Sequence, residues 1–95
     1  MYVVRETFTA KPGMASKLAK MFREVSSEMP GVKSRVLTDF VSDYNTVVWE
    51  VEMKELADFE KMMKEYATKP DLGKKMAGYT EMWQTGKREI YRVVE

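Results

Sequence analysis

The sequence predicts a single α+β domain in which strands and helices alternate along the chain. Three observations predict it. β-Branched and aromatic segments recur between stretches with helical apolar periodicity, turn-forming residues separate nearly every pair of segments, and 95 residues leave room for one core only. The chain shows no internal repeat, linker or low-complexity stretch, so residues 1–95 are read as one domain.

The first segment, residues 2 to 9 (YVVRETFT), reads as a strand. Tyr2, Val4, Glu6 and Phe8 point one way and Val3, Arg5, Thr7 and Thr9 the other. Lys11-Pro12-Gly13 then punctuates the chain, with Pro12 suited to the first turn of a helix. Met14, Leu18, Met21, Phe22, Val25 and Met29 form one apolar helical stripe, and Pro30-Gly31 stops it. A second strand is expected over residues 32 to 41, the turn formers Ser42-Asp43-Tyr44-Asn45 follow, and a third strand covers 46 to 53. In that strand Val47, Trp49, Val51 and Met53 share a face, opposite Thr46, Val48, Glu50 and Glu52. Residues 55 to 67 read as a helix with Leu56, Phe59, Met62, Met63 and Tyr66 on one side, interrupted by Lys69-Pro70-Asp71. A short helical stretch carrying Leu72, Met76, Tyr79 and Trp83 leads to a closing strand over 87 to 95. The resulting order, βαββαβ, is the ferredoxin-like arrangement: a four-stranded antiparallel sheet with both helices on one face.

Composition narrows the function. The formal net charge is +1, from 16 basic and 15 acidic side chains, which is not the basic footprint of a nucleic-acid binder. The third strand, TVVWEVEM, carries acidic residues where an RNA-recognition sheet of the same topology carries Lys/Arg-Gly-Phe. No stretch is long and apolar enough to span a bilayer, and the first residues lack a secretory pattern, so a cytoplasmic protein without membrane contact is expected. The chain has no cysteine and no histidine. This removes thiolate metal sites, the usual proton shuttle and the commonest haem ligand, so no metal and no cofactor is expected.

Both sheet faces carry apolar residues, because Val3 and Val48 lie opposite the main apolar rows and the last strand splits Ile90 and Val94 from Tyr91 and Val93. The helices can cover only one face. A second copy of the chain is the available cover for the other, so a homodimer is expected.

With these elements in place, the chain resembles the dimeric α/β barrel superfamily, which includes antibiotic-biosynthesis-type monooxygenases, NIPSNAP-like and stress-responsive barrel proteins. The resemblance rests on the opening MYVVRETFTAKPGMASKLAKMFREV, the hairpin RVLTDFVSDYNTVVWEVE, and GYTEMW before KREIYRVVE. It covers nearly the whole chain as architecture, without a diagnostic motif. It implies two sheets packed face to face and a small-molecule pocket between each sheet and its own helices. The haem-degrading branch holds its haem through a histidine that is absent here. A cofactor-independent monooxygenase and a non-catalytic ligand-binding or stress-associated dimer both remain open.

Candidate site residues follow from chemistry and position. Trp49 sits mid-strand, where its indole N–H needs a partner if buried; it reads as a filler of the sheet–helix core, with pocket wall as the alternative. Tyr66, Tyr79 and Trp83 flank the Pro70 break, where a cavity lined by aromatics or a plain core stripe can form. Among the strand charges Arg5, Glu6, Arg35, Asp39, Glu50, Glu52 and Arg92, a carboxylate such as Glu50 or Glu6 with its pKa raised by burial is a candidate general base. Arg5 is a candidate substrate contact. The alternative for all of these charges is cross-strand or cross-subunit pairing that fixes register. The nine methionines suit an adaptable apolar pocket or generic core filling.

Overall fold

A computed structural model describes residues 1–29 and 31–95. In chain order the elements are β1 (Tyr2–Ala10), α1 (Ala15–Ser26), β2 (Ser34–Thr38), β3 (Thr46–Met53), α2 (Leu56–Thr68), α3 (Pro70–Lys75), a 3-10 turn (Tyr79–Glu81) and β4 (Trp83–Arg92). The strands pair antiparallel in the order β2-β3-β1-β4, with β1 and β3 central. This is the expected α+β, ferredoxin-like layout. The molecule is two layers thick, with principal extents of 35 × 35 × 19 Å.

Local chemistry explains the element boundaries, including those that differ from expectation. Pro12 does not open α1. It sits with Gly13 in a turn closed by the Met14 amide donating to the Lys11 carbonyl at 2.9 Å, and Gly13 has φ +82°. Proline followed by a positive-φ glycine is what a type II turn requires. Pro30, expected to stop α1, lies outside the described residues, and the helix ends at Ser26. β2 is shorter than the expected 32–41 because the chain leaves the sheet at Asp39, whose carboxylate accepts the Thr46 amide at 2.9 Å across the hairpin. α2 begins in a capping box, in which the side chains of Glu55 and Asp58 each accept the other's backbone N–H. It stops at Lys69, held extended (φ −92°, ψ +113°) by the following Pro70, which then opens α3. Trp83, expected on a helix, is the first residue of β4.

The two long helices sit on the sheet very differently. α1 buries Leu18, Phe22 and Val25 against Phe8, Ala10, Val47 and Met76, forming the main core. α2 buries no residue. It touches the sheet through Phe59 and Met62, which lie on a second, smaller cluster of Val4, Val51 and Met53. At Gly86 on β4 an added Cβ would lie 3.0 Å from the Phe8 ring, so the missing side chain is what lets Phe8 seat beside Trp83.

Candidate ligand cavity

The loose seating of α2 leaves a cavity of about 550 Å³ between the sheet, the C-terminal half of α1, α2 and α3. Its walls are mostly apolar, from Val4, Val51 and Trp49 on the sheet to Met62, Met63 and Tyr66 on α2. A volume of this order suits a small organic molecule, and a mainly apolar lining with few polar groups is how such sites are usually built.

The sheet register decides which candidate residues face this space. Across the four strands, Val36, Trp49, Glu6 and Arg88 stand in one lateral row on the helix-covered face. The neighbouring residues Arg35, Glu50, Arg5 and Glu89 form a second row on the open face. Trp49, Tyr66 and Tyr79 all line the cavity. Trp49 stacks on Phe22 with ring centroids 4.6 Å apart, and its indole N–H donates to Ser26 Oγ at 2.8 Å. Its polar atom is therefore satisfied from α1, while its ring serves as core and as cavity wall. Burial pushes the Tyr66 phenol above its ordinary pKa, and the neighbouring Tyr79 phenol adds to the effect. Trp83 stands behind the wall, against Phe8 and Tyr79 at centroid distances of 5.2 and 6.4 Å. Its buried indole Nε1 finds no hydrogen-bond partner among the described residues.

Glu50 and Arg5 lie on the opposite face of the sheet. Glu50 is buried, at 6 % exposure, and accepts Arg5 Nε and Arg35 Nε at 2.7 Å each. Burial alone pushes its carboxyl up, but the two guanidiniums outweigh burial and hold the pKa below the ordinary carboxylate value. The raised pKa that motivated Glu50 as a general base is thus reversed. Arg5 is raised in turn, chiefly by its hydrogen bond to Glu50, and its guanidinium lies over the Tyr91 ring at 5.2 Å. These contacts are the cross-strand pairing weighed as the alternative.

The other named carboxylate, Glu6, lines the cavity. It stands between Val4 and Phe8 on the floor, paired to Arg88, whose guanidinium also lies over the Phe59 ring of α2 at 5.0 Å. Arg88 is a cavity residue that the sequence alone does not single out. Its signal was register, since a basic residue in the last strand falls opposite Glu6 only once the strands are paired. Among the described residues no three His, Cys, Asp or Glu side chains converge as metal ligands, and no helix is long and apolar enough to cross a membrane.

The same architecture recurs in solved structures. A NIPSNAP family protein from Agrobacterium tumefaciens superposes with a TM-score of 0.84 at 11% identity, over 99% of this chain and 93% of that one. A NIPSNAP domain protein from Burkholderia xenovorans gives 0.81 at 12%, over 99% and 95%. A candidate antibiotic biosynthesis monooxygenase from Chloroflexus aurantiacus gives 0.77 at 18%, over 99% and 93%. The ferredoxin-like α+β fold of this chain is the one these structures share. At these identities the likeness carries the fold alone. No protein-family model matches the chain, and no curated protein matches it in sequence.

Proposed function

We propose that the protein is a homodimer in which each subunit takes up one small, largely apolar organic molecule between its sheet and α2. The observation that carries this reading is the cavity of about 550 Å³, lined by Trp49, Tyr66, Tyr79 and several methionine thioethers. Dimerisation is supported by the uncovered sheet face, where Leu37 and Tyr91 are 39% and 45% exposed beside Val3 and Val48. A second subunit laid on that face would cover them and leave each cavity on the outer side of its own sheet.

The chemistry to test first is monooxygenation without a cofactor, since one fold neighbour is named as a candidate antibiotic biosynthesis monooxygenase. In such a reaction one atom of dioxygen enters an electron-rich substrate, the other leaves as water, and the substrate supplies the two further electrons and protons. The protein's part is to exclude water and orient the substrate. The second reading, a binding dimer without catalysis, is favoured by the placing of Glu50, which is committed to two arginines away from the cavity.

Native mass spectrometry of gently purified protein tests the binding reading. A dimer of twice the 11.1 kDa chain carrying an extra small mass supports it and gives the ligand's class. A monomer overturns the dimer, and failure of both purified protein and added apolar probes to show any bound mass overturns the cavity reading. Oxygen consumption with a ligand so identified separates enzyme from binder.

A further inference from the structure

Charged lining residues of the cavity such as Lys54 and Lys61 sit on or beside α2, whereas Glu6 and Arg88 form an ion pair on the sheet floor among apolar side chains, where charges are costly to keep. Glu6 occupies a position whose neighbours on the same face, Val4 and Phe8, are core residues, and its side chain is only 19% exposed. Arg88 Nε donates to one carboxylate oxygen, Oε1. Among the described residues no protein donor reaches Oε2, and Glu6 is one of the residues that line the cavity. Arg88 is itself held, by Glu6 on one side and by the Phe59 ring on the other. The carboxylate therefore has a fixed orientation, its charge is balanced, and one acceptor remains unused. This differs from Glu50, where a guanidinium occupies each oxygen.

We infer that Glu6 is the cavity's specificity-determining group, and that the ligand it takes is an apolar molecule carrying a hydroxyl, which donates its hydrogen to Glu6 Oε2. The inference rests on the cavity reading above and adds to it the chemical class of the ligand. A neutral hydroxyl suits the site because it supplies the missing donor without adding net charge, and a hydrogen bond to an ionised acceptor is among the stronger kinds. Tyr66 and Tyr79 also line the cavity.

Binding of naphthalene, naphthol and naphthol methyl ether to the intact protein, followed by quenching of tryptophan emission and by calorimetry, provides the test. Naphthol is expected to bind about tenfold more tightly than its methyl ether, which keeps the oxygen and loses the donor. In Glu6→Leu that preference is expected to vanish while naphthalene still binds, which also shows that the variant is folded. Glu6→Gln, which retains an acceptor oxygen, is expected to keep part of the preference. Equal binding of all three compounds to the unaltered protein overturns the role of Glu6 and leaves the cavity reading standing. Binding of none overturns both. A preference that survives in Glu6→Leu assigns hydroxyl recognition to another residue and overturns the proposal.

Discussion

Two carboxylates one residue out of phase make the most instructive pair in this molecule. Glu50 and Glu6 lie on adjacent central strands, each beside an arginine or an aromatic in sequence, Trp49-Glu50 and Arg5-Glu6. Because successive strand residues face opposite ways, the pairing Arg5↔Glu50 falls on the open face and Glu6↔Trp49 on the cavity face. The same residue type is thereby a saturated tie across β1, β2 and β3 on one side, and a half-satisfied acceptor on the other. What separates them is the number of guanidiniums that register brings to each.

That contrast can be broken by substitution, starting from the packing on which the cavity side depends. Phe22→Ala removes the fully buried ring that supports Trp49, and is expected to cost about 3–5 kcal/mol, read as a lowered midpoint in urea unfolding. Glu50→Gln is expected to cost about 2 kcal/mol, a moderate figure because Arg5 and Arg35 are 40% and 68% exposed and regain water when freed. The same residue sets a pH dependence. Its folded pKa is depressed, so its contribution is present above the unfolded value of about 4.3 and is lost as pH falls through the folded one. Unfolding titrations below about pH 4 are thus expected to show a steeper loss of stability in the unaltered protein than in Glu50→Gln. Gly86→Ala pushes a methyl group onto the Phe8 ring 3.0 Å away, for an expected loss of about 1–2 kcal/mol in thermal unfolding. The smallest effect on stability is expected for Glu6→Gln, under about 1 kcal/mol, because its one partner, Arg88, is 47% exposed and regains water when freed. A large loss there would make Glu6 a structural tie like Glu50.

The two carboxylates also mark how far the sequence could be read. Strand alternation put Glu6 in a row with Val4 and Phe8, and Glu50 in a row with Val48, and both assignments hold in the sheet. A charge interrupting an apolar row was the signal for Glu6. The partners were not legible, because Arg35, Arg5 and Arg88 reach these carboxylates only through long-range pairing, with separations of 15, 45 and 82 residues. The direction of the Glu50 pKa went with them, since burial and ion pairing oppose each other and only the count of arginines decides. Trp83 was assigned to a helix because it continues the spacing of Leu72, Met76 and Tyr79, yet the chain turns at Gly78, with φ +81°, before reaching it. Beside the Pro70 break the sequence leaves a cavity wall and a plain core stripe as alternatives for Tyr66, Tyr79 and Trp83; Tyr66 and Tyr79 line the cavity, and Trp83 stands behind its wall. The cavity's size was not legible, because it follows from how little of α2 the sheet holds.

That weak hold has a consequence for how occupancy would be felt. A helix with no buried side chain opens at small cost, so its amides exchange with solvent long before the core strands do. A guest in the cavity would present to Phe59, Met62 and Tyr66 the apolar surface that the sheet leaves out of their reach. At about 25 cal/mol per Å², even 100 Å² of such contact contributes some 2.5 kcal/mol. Much of the guest's affinity would then be recorded as slowed hydrogen exchange along α2, with β1 and β3 scarcely changed, making the ligand the hydrophobic core that this helix lacks.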